Sequence, residues 1–598
     1  MYKSHMNRYV IAFILTAVVF LVYFKALGNG FVYDDRLQII ENTWIRDISR
    51  LPDIFTSSSF GFLMDKRPGR SYRPLVISAF MVEYALFGLK PWGWHLVNII
   101  LHAANTLLVF SILSFLLSRR GDKGLGSTMS EYLPPFFGAL VFATHPVNSE
   151  PVSWVGCVPE FLFTLLCLAS FYLYMISAGA ERNAGTCSRK GARGLSALLF
   201  FFSLLAKETA FSLPFILFAY DYSMEGRGVF KGLKRYAPYA MAALLYLAAR
   251  VYALGGAVPA ENMYPFLSGP QYLINGVVLF VKYLRVLVLP VGDAPLQMLD
   301  PVFSISEPRA LVSMVFALLL FLLVYLFRKR VHPLYILAFS IAVLPLLPAL
   351  YIPGISRHSF SHRYLYFPSI GFGLFLSLVA RRFLVQGTGR KGAAVLVMAV
   401  MVALYSFSSV KRTSLWKDEI SLWSASLEGS PGNYYAQYMI GYALQEKGMY
   451  GEAASRFSET IRITTSNPYP DPWVLGNARL GLAESYHRSG RPDEAIREYT
   501  EFLKTHPDYA AANYQLGYLY QEKGRLDLAI TYYKRSIGLF KDPADLRDAY
   551  ANMGNCYLEK GMYAEAESSY MEALRTSPDD PGVLNNLLVL RKRAAGAR

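Results

Sequence analysis

The stretch GNGFVYDDRLQIIEN, residues 28–42, follows directly after the first long apolar segment, residues 9–27. It places two adjacent carboxylates, Asp34 and Asp35, at the point where the chain leaves a membrane. Carboxylates are poorly solvated near a low-dielectric medium, so an acidic pair at this depth is costly unless it has a task. We therefore predict that Asp34 and Asp35 face a reaction site at the outer membrane surface. An alternative is that the pair caps a juxtamembrane helix.

The composition is typical of a membrane protein. Hydrophobic residues make up 54% of the 598-residue chain, and the mean hydropathy is +0.28. The formal net charge of +16 does not indicate nucleic-acid binding, because Lys and Arg lie mostly in short loops between apolar segments, as the positive-inside rule expects. The four cysteines lack zinc-ligand or disulfide-framework spacing. Residues 9–27 are interpreted as an uncleaved first helix rather than a signal peptide, because many more apolar segments follow.

About eleven segments are predicted to cross the membrane. The segment 271–290 is predicted to be re-entrant or interfacial, because Lys282 and Arg285 interrupt it and the basic clusters then all fall on one side. This topology puts the N-terminus in the cytoplasm and the C-terminal half on the outer (periplasmic or lumenal) side of a plasma or inner membrane, or of an organelle. The predicted spans lie near 9–27, 93–117, 133–153, 158–177, 194–206, 209–222, 236–254, 309–327, 333–352, 364–380 and 393–410.

Polar residues recur where these spans meet the outer surface, which indicates a cavity lining rather than a lipid-facing wall. Each group also has a structural interpretation. The two histidines and one asparagine spaced i, i+3, i+7 on the second span suit hydrogen bonds between helices, an adjacent Lys-Glu pair suits mutual neutralisation, and an Arg before two tyrosines suits anchoring at headgroups. The residues are Asp34, Asp35, Arg73, His95, Asn98, His102, His145, Glu150, Lys207, Glu208, His362, Arg363 and Tyr364.

From Lys411 onward the long apolar runs stop and a helical repeat appears. The register can be followed four times, and Gly490 and Gly524 are separated by the 34 residues of a tetratricopeptide repeat. The glycines permit the turn between the two helices of each repeat. We therefore predict three regions: a membrane domain at 1–410 with the acidic outer loop 28–92, a linker at 411–432, and about four repeats plus a capping helix near 582–594 at 433–598. Tyrosines on the first helix of two repeats suit a protein or glycan acceptor, although they also suit ordinary groove lining: Tyr438, Tyr442, Tyr514 and Tyr518.

Five motifs occur in a fixed order: GFVYDDRLQIIEN, SYRPLVISAFMVEYALFGLKPWGWHLVNIILHAANTLL, FATHPVNSEPVSWV, LLAKETAFSLPFILFAYD and HRYLYFPSIGF. Together they resemble the transmembrane and tetratricopeptide-repeat O-mannosyltransferase family and its bacterial relatives, which belong to the GT-C glycosyltransferases. The resemblance implies an all-α fold, with a multi-span membrane domain followed by a tetratricopeptide α-solenoid. It also implies transfer of a mannose-like sugar, with inversion, from a polyprenyl-phosphate carrier to a hydroxyl of a protein or glycan.

The resemblance assigns roles to the outer-face residues. One of Asp34 and Asp35 takes the proton of the acceptor hydroxyl, and the other orients the acceptor or stabilises the developing positive charge. The leaving phosphate requires cations, for which Arg73, Lys207 and Arg363 are the candidates. The remaining substrate-binding candidates are His95, His145, Glu150, Glu208, His362 and Tyr364. No cofactor is implied with certainty; some GT-C relatives hold a divalent cation, for which Asp34-Asp35 with His145 or Glu150 is the candidate site.

Two departures from the family pattern keep an alternative open. Relatives read Gly-Arg where this chain has Cys157 and Val158 before Pro159-Glu160, and they carry a Glu where this chain has His362. A non-catalytic membrane scaffold, which uses the repeats for protein assembly, is therefore the second hypothesis. A transporter is disfavoured, because the spans show no internal symmetry and the polar residues cluster at one membrane face.

Overall fold

The computed structural model describes residues 2–66, 71–118, 128–180, 186–225, 233–256, 262–354, 357–385 and 388–596. The chain divides into two compact units, Met1–Ser430 and Pro431–Arg598. The described residues form helices, with one isolated antiparallel bridge between Gln297 and Phe360. The predicted all-α class is therefore confirmed.

The first unit is built from long apolar helices and short connecting turns. Several helices begin at a proline, including Pro74, Pro308 and Pro333, because the first turn needs no N–H and the ring presets a helical φ. The helices are α1 Tyr2–Tyr23, α2 Leu51–Thr56, α3 Pro74–Phe87, α4 Pro91–Ser118, α5 Thr128–Thr144, α6 Ser149–Ser153, α7 Val158–Ala180, α8 Thr186–Ala206, α9 Leu213–Glu225, α10 Ala237–Leu254, α11 Gly269–Val288, α12 Pro308–Phe327, α13 Pro333–Val343, α14 Pro368–Val385, α15 Thr388–Thr413 and α16 Glu419–Gly429.

Eight helical segments among the described residues are long and apolar enough to cross a membrane. Many of their exposed side chains are apolar; Leu318 of α12, for example, is 69% exposed. An extended exposed apolar surface of this kind fits a membrane-spanning helix. The full count of about eleven spans stays a prediction. The eight segments are Arg8–Gly28, Pro91–Ser118, Val155–Ala178, Ala237–Leu254, Gly269–Val288, Pro308–Phe327, Pro333–Leu350 and Lys391–Trp416.

Three sequence-based boundaries need correction. The segment 271–290 forms one uninterrupted helix, α11, so the re-entrant alternative, which requires a break in the helix, is wrong, and the interfacial alternative stays a prediction. The predicted span 133–153 is also not continuous, since α5 ends before His145-Pro146 and a separate short helix follows. Residues 411–432 are not an extended linker, because α15 continues to Thr413 and α16 packs into the first unit through buried Leu422 and Trp423.

The second unit consists of four helix pairs and a final helix that matches the predicted cap. Gly490 and Gly524 end the first helix of their pairs with φ of 74° and 68°, the left-handed conformation that glycine adopts without strain. The helices are α17 Tyr434–Glu446 with α18 Tyr450–Ser466, α19 Pro472–Arg488 with α20 Pro492–Thr505, α21 Ala510–Glu522 with α22 Leu526–Ile537, α23 Pro543–Glu559 with α24 Tyr563–Thr576, and the capping helix α25 Pro581–Gly596.

Close packing within each helix pair depends on a small residue. A Cβ added at Gly517 of α21 would lie 2.8 Å from the ring of Tyr533 on α22, which is fully buried. We expect Gly517→Ala to destabilise this pair by about 1–3 kcal/mol through overpacking. Hydrogen–deuterium exchange of α21 and α22 in the full-length protein measures this loss. Gly451→Ala is the matched control, because a Cβ added at Gly451 would have no atom within 4 Å; equal loss of protection in both variants would contradict the packing argument.

Candidate functional site

The two adjacent aspartates occupy different environments. After α1 the chain forms a 3-10 turn and then a short extended segment, which brings Asp35 into the interior. One carboxylate oxygen of Asp35 accepts a hydrogen bond from the backbone N–H of Val32 at 3.0 Å, and the other accepts one from that of Gly156 at 2.7 Å. Asp35 therefore joins the acidic loop to the turn that precedes α7, and both of its oxygens are already occupied.

Asp34 has no such partners. Its side chain is partly exposed, and among the described residues its carboxylate accepts no hydrogen bond and forms no ion pair. Burial raises the pKa of Asp34 to about 6, against the opposing effect of the Arg363 charge. A carboxylate that is accessible, unpaired and more basic than usual is suited to accept a proton.

The positive charge that acts on the Asp34 carboxylate, by lowering its pKa, belongs to Arg363. It lies on the 3-10 turn His362–Leu365, and its guanidinium carbon is 4.9 Å from the ring centroid of Trp154. Its Nη1 is 3.5 Å from Oε1 of Glu150, yet this buried nitrogen has no hydrogen-bond partner among the described residues. The indole N–H of Trp154 is likewise buried without a partner in the described part of the chain. Two buried donors without a hydrogen-bond partner among the described residues thus belong to side chains in contact with each other, Arg363 and Trp154.

Glu150 holds this arrangement together. The hydroxyl of Ser361 donates to Oε1 of Glu150, and the backbone N–H of His362 donates to Oε2 at 3.0 Å. Burial alone raises the pKa of Glu150, but the hydrogen bond from His362 and the charge of Arg363 outweigh it and hold that pKa below its usual value. Glu150 is thus an ionised anchor for the turn that carries Arg363.

The other predicted cations are paired with carboxylates. Lys207 Nζ donates to Glu160 Oε1 in a buried contact, and Arg73 Nη2 is 3.0 Å from Glu208 Oε2, whose other oxygen binds Arg250 Nη1 at 3.0 Å. The interpretation of Lys207-Glu208 as a self-neutralising pair is therefore wrong, because each of the two faces a different partner. Although Lys207 and Glu208 are adjacent in sequence just after α8, their side chains bind different partners.

Tyr364 links these pairs to the site around Arg363. Its ring centroid lies 5.1 Å from the Arg363 guanidinium carbon and 5.1 Å from Lys207 Nζ. The predicted residues Arg363, Tyr364, Lys207 and Glu150 therefore belong to one polar cluster.

Of the four histidines His95, His102, His145 and His362, only His362 contacts the polar cluster around Arg363 and Glu150. His102 of α4 bonds to the carbonyl of Ala143 on α5, which is a contact between helices as predicted, and to the Tyr366 hydroxyl. His95 Nε2 is instead 3.4 Å from the carbonyl of Gly30, in the acidic loop. His145 accepts from Val147 N–H and bonds to the Leu287 carbonyl, so both ring nitrogens are occupied and it is not available to a substrate or metal. His362 is the exception, since its Nδ1 is 3.6 Å from Glu150 and its buried Nε2 has no partner among the described residues.

No group of three His, Cys, Asp or Glu side chains in the described part of the chain is arranged to hold a metal ion. The divalent cation left open by the sequence therefore finds no ligand set there.

The tyrosines predicted to form an acceptor groove lie on α17 and α21 of the second unit. Tyr438 packs against Phe457 and Trp473, and the hydroxyl of Tyr514 accepts a hydrogen bond from Asn552 at 2.8 Å. The hydroxyl of Tyr442 donates to Glu446, and Tyr518 is 38% exposed beside His487. These contacts fit the ordinary lining of a repeat array, and the acceptor role of the four tyrosines stays a prediction.

Three residues of the site are not identified by the sequence patterns: Trp154, Gly156 and Glu160. In the sequence, Trp154 lies in a predicted outer turn, and Gly156 and Glu160 flank Cys157-Val158, where the chain departs from the family motif. Each gains importance through a contact with a distant residue: Arg363, Asp35 and Lys207, respectively. No local pattern identifies such contacts.

Comparison with known proteins gives the following relationships. Two family models, each described as Tetratricopeptide repeat, match residues 480–545 and 548–580. The chain is 24% identical over 76% of its length to Protein O-mannosyl-transferase F38B6.6 of Caenorhabditis elegans, of which it covers 62%. It is 22% identical over 96% of its length to Protein O-mannosyl-transferase TMTC3 of Homo sapiens, of which it covers 65%. Over 33% of its length it is 32% identical to Protein O-mannosyl-transferase Tmtc1 of Drosophila melanogaster, of which it covers 21%.

The predicted resemblance to the transmembrane and tetratricopeptide-repeat O-mannosyltransferase family is thus confirmed. The chain spans somewhat less than two thirds of the length of the first two of these relatives.

Proposed function

We propose that this protein is a membrane glycosyltransferase. It transfers a mannose-like sugar from a polyprenyl-phosphate carrier to a hydroxyl of a protein or glycan acceptor, with inversion at the anomeric carbon. The observation that carries the proposal is the accessible, unpaired carboxylate of Asp34 with a pKa raised to about 6, within the electrostatic influence of Arg363. The names of the relatives supply the sugar and the reaction class.

In the proposed reaction Asp34 is the general base and Asp35 is a positioning residue. The Asp34 carboxylate accepts the proton of the acceptor hydroxyl while that oxygen forms a bond to the anomeric carbon. The bond between this carbon and the phosphate oxygen breaks, and its electron pair leaves with the polyprenyl phosphate. Asp35 is less suited to the base role than Asp34, because its side chain is fully buried and backbone N–H groups hold both of its oxygens in place.

The leaving phosphate is proposed to bind at Arg363. Its buried Nη1 and the Trp154 indole N–H are donors without partners among the described residues, and such fixed donors stabilise negative charge that develops during a reaction. Arg73 and Lys207 are weaker candidates, because they donate hydrogen bonds directly to Glu208 and Glu160, whereas Nη1 of Arg363 is 3.5 Å from Glu150 and makes no hydrogen bond to it. His362 has a buried Nε2 in the same turn that lacks a partner in the described part of the chain, and it is the proposed additional contact.

The raised pKa of Asp34 predicts the pH dependence of the reaction. The base is active only when deprotonated, so kcat/KM should fall about tenfold per pH unit as the pH drops below about 6. Release of sugar from polyprenyl-phosphate mannose by the full-length protein in detergent, measured across the acidic and neutral pH range, tests this. An acidic limb near pH 3.8, the ordinary pKa of an aspartate, would argue against Asp34 as the base in this environment.

The proposed function itself is tested in the native host. Glycoproteins from cells with the wild-type protein are compared with those from cells carrying Asp34→Asn at the same protein level. Loss of O-linked hexose from a subset of proteins is expected. An unchanged glycan profile would favour the scaffold alternative, which the absence of the family's arginine beside Cys157 keeps open.

A further inference from the structure

The residue just before Asp34 has an unusual backbone conformation. Tyr33 has a φ of 59°, one of two positive values among the non-glycine residues of the described chain. A bulky side chain disfavours this left-handed conformation, which persists only where the surroundings impose it. Because Asp34 follows directly, the conformation of Tyr33 determines where the catalytic carboxylate is directed.

Contacts with α16, the helix that lies within the predicted linker, hold this conformation, together with Trp154 and with His358, whose Nδ1 is 3.1 Å from the Tyr33 hydroxyl. The backbone N–H of Tyr33 donates to Oε1 of Glu419 at 2.7 Å. The other oxygen of Glu419 accepts a hydrogen bond from the indole N–H of Trp423 at 2.6 Å, which fixes the carboxylate. The ring of Tyr33 packs against Trp423 and Trp154, with centroids 5.6 Å and 5.1 Å apart.

Glu419 also adds a negative charge beside the acidic pair. Burial and the charge of Asp34 raise the pKa of Glu419, although its two hydrogen bonds oppose this. The other charged groups that influence these carboxylates are Arg363 on Asp34, Arg36 on Glu419, and the buried Asp35.

We propose that Glu419 of α16 is a positioning residue for the reaction: it holds the strained Tyr33 backbone so that the Asp34 carboxylate faces the substrate. The catalytic part of this inference rests on the proposed function. The structural part, the clamp on Tyr33, does not.

The clamp is tested by hydrogen–deuterium exchange on the full-length protein in detergent. In Glu419→Ala the Tyr33 amide loses its acceptor, and we expect peptides covering residues 31–36 to exchange at least tenfold faster than in the wild type. Glu428→Ala is the matched control, because Glu428 lies on the exposed face of the same helix. Wild-type exchange at residues 31–36 in Glu419→Ala would overturn the inference, whether or not the protein is active.

The positioning role is tested with Glu419→Ala beside the conservative variant Glu419→Gln, whose single carbonyl oxygen can still accept from the Tyr33 amide but whose NH2 group cannot accept from the Trp423 indole. In sugar release from polyprenyl-phosphate mannose, Glu419→Ala should lower kcat about tenfold with little change in KM, Glu419→Gln should restore part of kcat together with slow exchange at residues 31–36, and Glu428→Ala should match the wild type. A wild-type kcat in Glu419→Ala, with Asp34→Asn inactive, would contradict the role of Glu419 and leave the proposed function standing. Full activity of Asp34→Asn would instead contradict the proposed function, and the exchange measurement would still decide on the clamp.

Discussion

Asp34→Asn is expected to lower the rate of sugar transfer about 10²- to 10⁴-fold, the contribution typical of a general base. Asn has nearly the same shape as Asp but does not accept the proton of the acceptor hydroxyl. The Asp34 carboxylate makes no hydrogen bond or ion pair among the described residues, and its raised pKa means that its ionised form disfavours the folded state at neutral pH. The neutral Asn should therefore not lower stability. Steady-state release of sugar from polyprenyl-phosphate mannose, together with a thermal unfolding curve, measures both effects.

Two further substitutions make this test specific. Asp53→Asn removes an exposed acid from the same outer loop, one that pairs with Arg50 at the surface, and should keep wild-type activity. Asp35→Asn introduces an amide donor opposite the Val32 and Gly156 N–H groups, and should destabilise the loop rather than slow transfer alone. Wild-type transfer by Asp34→Asn would show that the base lies elsewhere.

Arg363→Met is expected to weaken binding of the carrier phosphate by about 10²- to 10³-fold, because charged donors in a water-poor site contribute strongly to anion binding. The change also leaves the ionised Glu150 buried beside a neutral side chain, so a loss of stability should accompany it. Arg363→Lys keeps the charge and separates the two effects. Binding of undecaprenyl phosphate in detergent measures the loss, and undecaprenol, which lacks the phosphate, shows how much of the binding comes from the lipid chain.

The matched control is Arg309→Met, which removes an arginine that is 54% exposed and paired with Asp300 at the surface. Trp154→Phe keeps the aromatic ring beneath the guanidinium but removes the indole N–H, so a smaller loss of phosphate affinity is expected. If Arg363→Lys and Arg363→Met both bind undecaprenyl phosphate as tightly as the wild type, the phosphate binds at another cation. Arg73 and Lys207 would then be the next residues to substitute.

Local patterns in the sequence are sufficient for much of the architecture. Long apolar segments predict the membrane helices, because a lipid-exposed helix must be apolar over most of its surface. The repeat register predicts the helix pairs, since Gly490 and Gly524 occupy the turns and small residues such as Gly517 face aromatic rings. The position of Asp34-Asp35 after the first apolar segment likewise suggests the candidate centre, whose catalytic role stays a prediction. The linker prediction is wrong because Leu422 and Trp423 form the buried face of a short helix, α16. This region lacks a long apolar run, so its sequence does not indicate a buried helix.

Only the tertiary structure distinguishes the two acids. Asp35 is bound by Gly156, 121 residues away, whereas Asp34 stays accessible. The partner of Lys207 is Glu160 rather than its neighbour Glu208, and Tyr33 is held by Glu419, 386 residues along the chain. The physical reason is that composition and periodicity determine which surfaces must be buried, whereas the pairing of polar groups depends on which distant side chains the packed helices bring within hydrogen-bond distance.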